Sequence, residues 1–217
     1  MGIPIDSERP DPALEALLCG VPSLVVDFEN KKQVFVESNV DERIYGIAYE
    51  VLSTNEKYGL TRDIVLLFIC AGKHPDMNNS NCEQVKDVVK KLRSAGNRSA
   101  FGVIDWDKRN SGGDGIFVCS ENLRYSVENI VYDPLVLCVF LILENVCTLA
   151  EMGLAGSTAI SEIMQFDQAQ LQKMTNFVID AVRTKLVDSL TTDATPVQCF
   201  YVDGRSLNYP AWYLRNV

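Results

Sequence analysis

Apolar residues in this chain fall first into short runs and then into longer helical stripes. Gln33–Glu37 reads QVFVE, Ile64–Cys70 is apolar almost throughout, Ala100–Asp105 reads AFGVID, and Ile116–Cys119 is a further short run. Runs of this length predict strands, and unbroken apolar ones predict strands of a parallel sheet buried on both faces. Between the first two runs, Ile44, Ile47, Ala48, Val51 and Leu52 recur at helical spacing over about Val40 to Thr54, with Ser38 or Asn39 placed to cap. Between the second and third, Val85, Val88, Val89 and Leu92 mark a helix from Cys82 to Ala95, capped by Asn81 and stopped by Gly96. This alternation predicts an α/β fold, a mostly parallel sheet flanked by helices, with right-handed crossovers.

The pattern then turns helical. Pro134–Cys147 reads as one apolar helix, either a core helix or a surface for a partner or a second copy. Asp167–Leu190 carries Leu171, Met174, Val178, Val182 and Leu186 on one face. Val197–Val202 and Arg205–Tyr209 suggest a hairpin around a type I′ turn at Asp203-Gly204, followed by an aromatic tail to Leu214. The expected organisation is a leader with a short helix near Pro12–Leu18 over residues 1–30, an α/β core over 31–133, and a helical C-terminal extension with a hairpin or tail over 134–217.

Composition narrows the class. The 217 residues are 47% hydrophobic, enough for a full core and too many for a disordered chain. The net charge of -9 excludes a broadly basic nucleic-acid surface, so a nucleic-acid ligand would need a local basic patch or delivery by another protein. Seven scattered cysteines without zinc spacing suit a reducing compartment. The polar start carries no signal-peptide core, and the longest apolar run, Leu135–Leu143, is too short for a bilayer. These features predict a cytoplasmic protein with no membrane contact.

The candidate chemistry lies at strand ends, where sites of open α/β sheets gather. The first strand ends in Glu37, and the third ends in Asp105 with Asp107 two residues on, so both aspartates could face one point if the chain stays extended. Asp41, four residues after Glu37, can turn back to the same rim. Clustered carboxylates repel one another unless a hard divalent cation such as Mg²⁺ or Mn²⁺ joins them. The same acids could instead be helix caps or solvated loop residues. Lys73 follows the second strand and could meet a phosphate, as could Lys108, Arg109 and Arg124; Lys90, Lys91, Arg93 and Arg98 form a second basic group, which could equally be a solvated helix face.

The segment Val34–Asp41 resembles the first TOPRIM motif, an apolar strand, then Glu-Gly, then an acid four residues after the glutamate; Ser38 stands where the motif has glycine. Phe101–Asp107 resembles the second motif, an apolar strand and Asp-x-Asp. Arg124–Asn129, followed by Asp133-Pro134-Leu135, is similar to a segment of a bacterial TOPRIM-like family. That family includes the nuclease subunit of PARIS-type anti-phage systems and is related to the OLD nucleases. The resemblance covers about residues 30 to 145, with the three segments in the family's order. It implies a metal-dependent nuclease cleaving DNA or RNA in anti-phage defence, and the acidic net charge points to a partner, an ATPase subunit, that presents the substrate or releases the activity. Glu37 would act as acid/base or metal ligand, Asp105 and Asp107 would hold Mg²⁺ or Mn²⁺, Asp41 would be the accessory acid, and Glu128 would bind metal or brace the site. Two rivals remain: another Mg²⁺ phosphoryl enzyme such as a phosphatase, or a non-catalytic interaction module of the same fold.

Overall fold

The apolar runs form strands within two residues of their expected limits: β1 Lys31–Val36, β2 Val65–Cys70, β3 Ala100–Asp105 and β4 Ile116–Cys119. The computed structural model describes residues 31–54, 64–72, 81–156, 158–186, 190–201 and 203–216; the expected leader helix lies outside them. The chain divides into two compact units. One runs to Asp105 and resumes at Arg109–Cys119; the other holds Trp106–Lys108 and continues from Ser120.

In the first unit the four strands form one sheet in the order β2-β1-β3-β4, parallel throughout. The expectation of a mostly parallel sheet flanked by helices therefore holds. Helix α1, Asn39–Thr54, packs against β2, with the Tyr45 ring stacked on Phe68 at 5.6 Å. Helix α2, Asn81–Ser94, covers the other face, where Val85, Val88 and Val89 meet Phe35, Ala100 and Ile104. Each fully buried Val, Ile or Phe side chain among them contributes on the order of 1.5–3 kcal/mol. Gly102 admits this close packing, since a Cβ there would stand 2.7 Å from both Ile116 Cδ1 and Val85 Cγ1.

Local chemistry sets the helix ends. Ser38 caps α1: its hydroxyl accepts from the Asp41 N–H at 3.1 Å and its carbonyl from the Glu42 N–H at 3.1 Å. Helix α2 closes on Gly96, where Asn97 N–H returns to Leu92 O and Gly96 N–H to Arg93 O, both at 3.0 Å. The link from β3 to β4 contains no helix, although parallel neighbours usually need one. Consecutive positive φ values at Gly113, Asp114 and Gly115 (144°, 52° and 90°) fold it tightly. The Gly102 N–H donates to Gly115 O at 2.9 Å and ties the link to β3.

The second unit is helical with a small hairpin: α3 Glu128–Val131, α4 Pro134–Leu143, α5 Ile160–Ile163, α6 Gln168–Arg183, β5 Pro196–Phe200, β6 Ser206–Pro210 and α7 Ala211–Asn216. Its core gathers Cys138, Ile142, Leu171, Met174, Leu207, Tyr209 and Trp212–Leu214. Helix α4 ends at Leu143, short of the expected Cys147, because Asn145 takes φ 55° and Val146 N–H turns back to Leu141 O. It is one-sided: Cys138 and Ile142 are buried, whereas Val136 and Phe140 are 53% and 54% exposed. Asp167 and Gln170 form a reciprocal capping box that starts α6, and this helix ends at Arg183. The hairpin forms, but not on a type I′ turn. That turn needs positive φ at both central residues. Of Asp203 and Gly204 only Gly204 has it, at 88°, and its N–H donates to Tyr201 O while the Tyr201 N–H donates to Arg205 O. Among the described residues no helix is long and apolar enough to cross a membrane.

Candidate functional site

Strand order decides which acids can meet. β1 and β3 are neighbours in the sheet, and β2 lies outside them. The residue after β1 and the last residue of β3 therefore share one rim. There the Glu37 carboxylate accepts a hydrogen bond of 2.9 Å from the Asp105 N–H. Asp41, in the first turn of α1, is buried at the same end of the unit. Glu42, one residue on, accepts from the Cys70 N–H at 2.9 Å and so anchors α1 to the end of β2.

A tyrosine and a cysteine join these acids. Burial pushes the Tyr45 hydroxyl far above its ordinary range, followed by the Cys119 thiol to which it hydrogen-bonds and the negative charges of Asp105 and Asp41. Tyr45 therefore stays neutral as a hydrogen-bond donor. Cys119 ends β4 and Tyr45 lies one helical turn beyond Asp41. Both follow from rules already applied, strand ends and i,i+4 spacing, yet sequence reasoning passed over them. It also missed Asn110, buried in the glycine-rich link, whose side-chain amide donates to Asp105 O at 2.7 Å and accepts from Lys86 Nζ at 3.1 Å.

The remaining expected residues are placed differently. β3 ends at Asp105, and Asp107 takes φ 49°, so the strand alternation that would aim both aspartates one way does not extend to Asp107. Asp107 belongs to the second unit, where its N–H donates to Tyr125 O at 3.0 Å. Lys108 also has a positive φ, 58°; its ammonium reaches Asn216 Oδ1 at 2.6 Å and lies 5.8 Å from the centre of the Tyr125 ring. Two successive non-glycine residues in this region store backbone strain. Arg109 is exposed in the first unit, and Glu128 is exposed at the start of α3 in the second. Lys73 lies outside the described residues.

Arg124 faces inward. Its guanidinium donates to Asn129 O and, at 2.6 Å, to Asp133 Oδ2. Asp133 Oδ1 also accepts from Tyr201 at 2.8 Å, Tyr209 at 3.4 Å and the Leu135 N–H at 3.0 Å, which caps α4. Burial works against the Arg124 charge, but the Asp133 carboxylate outweighs it and holds the guanidinium protonated. Asn129 Oδ1 accepts from the Ser126 N–H at 3.0 Å. The Arg-Tyr-Ser-Val-Glu-Asn and Asp-Pro-Leu segments thus form a buried polar brace of the second unit.

Among the described residues, no three His, Cys, Asp or Glu side chains stand together as a ready metal cage. Comparisons with family models, curated proteins and solved structures give no match.

Proposed function

We propose that this chain is a Mg²⁺- or Mn²⁺-dependent phosphodiesterase of the TOPRIM type that cleaves DNA or RNA, centred on Glu37 and Asp105. One observation carries the reading: the acid after β1 is hydrogen-bonded to the backbone of the acid that ends β3, at 2.9 Å. Asp41 and the neutral Tyr45 hydroxyl accompany them. The donors are hard oxygens, which suit a small divalent cation. Mg²⁺ keeps several waters and takes one or two carboxylates plus substrate phosphate oxygens, so it needs no closed protein cage. Glu37, Asp105 and Asp41 would hold the ion. When bound it lowers the pKa of a water and polarises a phosphoryl oxygen. Asp107 and Glu128 belong to the second unit, and the resemblance alone brings them in.

Glu37 would take the proton of the attacking water as the new P–O bond forms. The P–O bond to the leaving sugar oxygen breaks, and that oxygen collects a proton from solvent. The hydrogen bond from Asp105 fixes the Glu37 carboxylate for this role, and the neutral Tyr45 hydroxyl adds no charge beside the acids. Glu37→Gln and Asp105→Asn are each expected to lower Mn²⁺-dependent cleavage of a labelled oligonucleotide by about a hundredfold or more, with thermal melting unchanged. Undiminished cleavage in either variant removes the mechanism.

A second reading, a non-catalytic interaction module, is favoured by the lack of a three-acid cage among the described residues and by Ser38, whose hydroxyl serves as a helix cap. Calorimetric titration that finds no Mn²⁺ binding would select it. Turnover of a simple phosphate monoester, with no oligonucleotide cleavage, would select a phosphatase. The resemblance further suggests a cytoplasmic role in anti-phage defence beside an ATPase partner, to be tested by co-purification and phage challenge.

A further inference from the structure

We propose that the groove between α2 and the glycine-rich link after β3 binds the sugar-phosphate backbone of a nucleic-acid strand. The groove encloses about 610 Å³ and lies wholly in the first unit. Lys86, Lys90, Arg93 and Arg98 line it against one carboxylate, Asp114, in a chain whose net charge is -9. This is the local basic patch that an acidic nucleic-acid enzyme requires. The inference deepens the phosphodiesterase reading and rests on it for the identity of the ligand.

Two of the four cations are held in place. Arg93 donates to Ala100 O at 3.1 Å and lies 5.4 Å from the centre of the Phe101 ring. It passes so close to Gly115 that a Cβ there would stand 2.9 Å from Arg93 Cδ. Lys86 is fixed by Glu83 at 2.8 Å and Asn110 at 3.1 Å. Lys90 and Arg98 are exposed and, among the described residues, make no side-chain hydrogen bond or ion pair, so their charges are available to a ligand. Ser94 and Ser111 add hydroxyl donors along the walls.

The spacing favours a strand over a lone phosphate. Lys86 and Arg93 are separated along α2 by roughly 10 Å, at about 1.5 Å per residue. Even the short axial rise of about 3.4 Å per phosphate on one strand of a duplex is well below that span, so the two cations are too far apart to serve one phosphate. The groove also leads to the acids: Asn110 bridges Lys86, at 3.1 Å, and the carbonyl of Asp105, at 2.7 Å.

The test measures fluorescence anisotropy of a labelled single-stranded oligonucleotide with the full chain in EDTA, where cleavage is silent. A rim that proves inactive therefore leaves the measurement intact. Wild-type protein should bind, and affinity should fall as salt rises. The double variant Lys90→Glu/Arg98→Glu should lose tenfold or more in affinity. Its plot of log affinity against log salt should flatten by about 1.4, at about 0.7 per phosphate contact. Arg183→Glu/Lys185→Glu changes net charge equally, on exposed residues of the second unit, and should bind like wild type. Circular dichroism melts must match across all three proteins; if Lys90→Glu/Arg98→Glu melts early, Lys90→Ala/Arg98→Ala replaces it, with a smaller loss expected. Failure of the wild type to bind at low salt, or equal losses in the two charge-reversed variants, overturns the proposal.

Discussion

Removing Asp133 should strongly destabilise the second unit. This carboxylate is 5% exposed and ion-paired with an Arg124 side chain that is 9% exposed, at 2.6 Å. Asp133→Ala leaves the buried guanidinium without its countercharge, which costs about 3–5 kcal/mol. It also removes the α4 cap, about 1 kcal/mol, and strips an acceptor from the hydroxyls of Tyr201 and Tyr209. These losses overlap, so about 4–5 kcal/mol is expected overall, against the 5–15 kcal/mol that a domain commonly has. With a urea slope near 2 kcal/mol per molar, the midpoint falls by roughly 2 M. The assay is tryptophan fluorescence, because both tryptophans, Trp106 and Trp212, belong to this unit. Arg124→Met/Asp133→Leu should recover much of the loss, since an apolar pair of similar volume leaves no buried charge. A loss below about 1 kcal/mol for Asp133→Ala, or a double variant whose loss equals the sum of the two single ones, refutes the account of Asp133 as the countercharge.

Other perturbations follow from single contacts. Ser38→Ala should cost about 1 kcal/mol and speed amide exchange at Asp41, whereas Ser38→Gly should cost only a few tenths; equal exchange in all three proteins contradicts the cap at 3.1 Å. Gly102→Ala should destabilise the first unit by about 1–3 kcal/mol, because its methyl would stand 2.7 Å from Ile116 and Val85; a melt equal to wild type counts against that close approach. In alkali, burial and then Asp133 push Tyr213 up to about 12 from 10.0, and burial and then Cys147 push Cys138 up to about 12 from 9.0. The fold holds the protonated forms, so their stabilisation is complete below pH 9.0 and is lost as pH rises toward about 12. Tryptophan fluorescence should therefore remain native at pH 9.0 and change above pH 10.0; unfolding complete by pH 9.0 would be inconsistent with these shifts.

Much of the first unit could be read from residue order. Runs such as AFGVID announce a strand of a parallel sheet because they are apolar without alternation, although the burial of this strand alternates between buried and half-buried positions. Gly96 announces a helix end because the left-handed φ of 96° it adopts is open to glycine. What residue order does not state is strand order. Glu37 meets Asp105 because β3 inserts beside β1 while β2 lies outside, a consequence of crossover packing rather than of local pattern. Asp107 shows the complementary limit: two residues of spacing imply a shared direction only while the chain remains extended, and its φ of 49° breaks that condition. Arg124 looked like a surface cation because charge in a sequence carries no sign of burial; its partner Asp133 lies nine positions away, beyond any helical or strand period. Conversely, Tyr45 and Cys119 were within reach of rules already in use and were overlooked only because neither is acidic.

The backbone enters the second unit at Trp106–Lys108, returns to the first for Arg109–Cys119, and leaves again at Ser120. No single cut can therefore yield two complete halves. A piece ending at Asp105 forfeits the edge strand Ile116–Cys119, and a piece beginning at Ser120 forfeits the Asp107 amide that Tyr125 accepts. Such threading ties the halves into one heritable module, so recombination that shuffles domains would have to move them together or disrupt both.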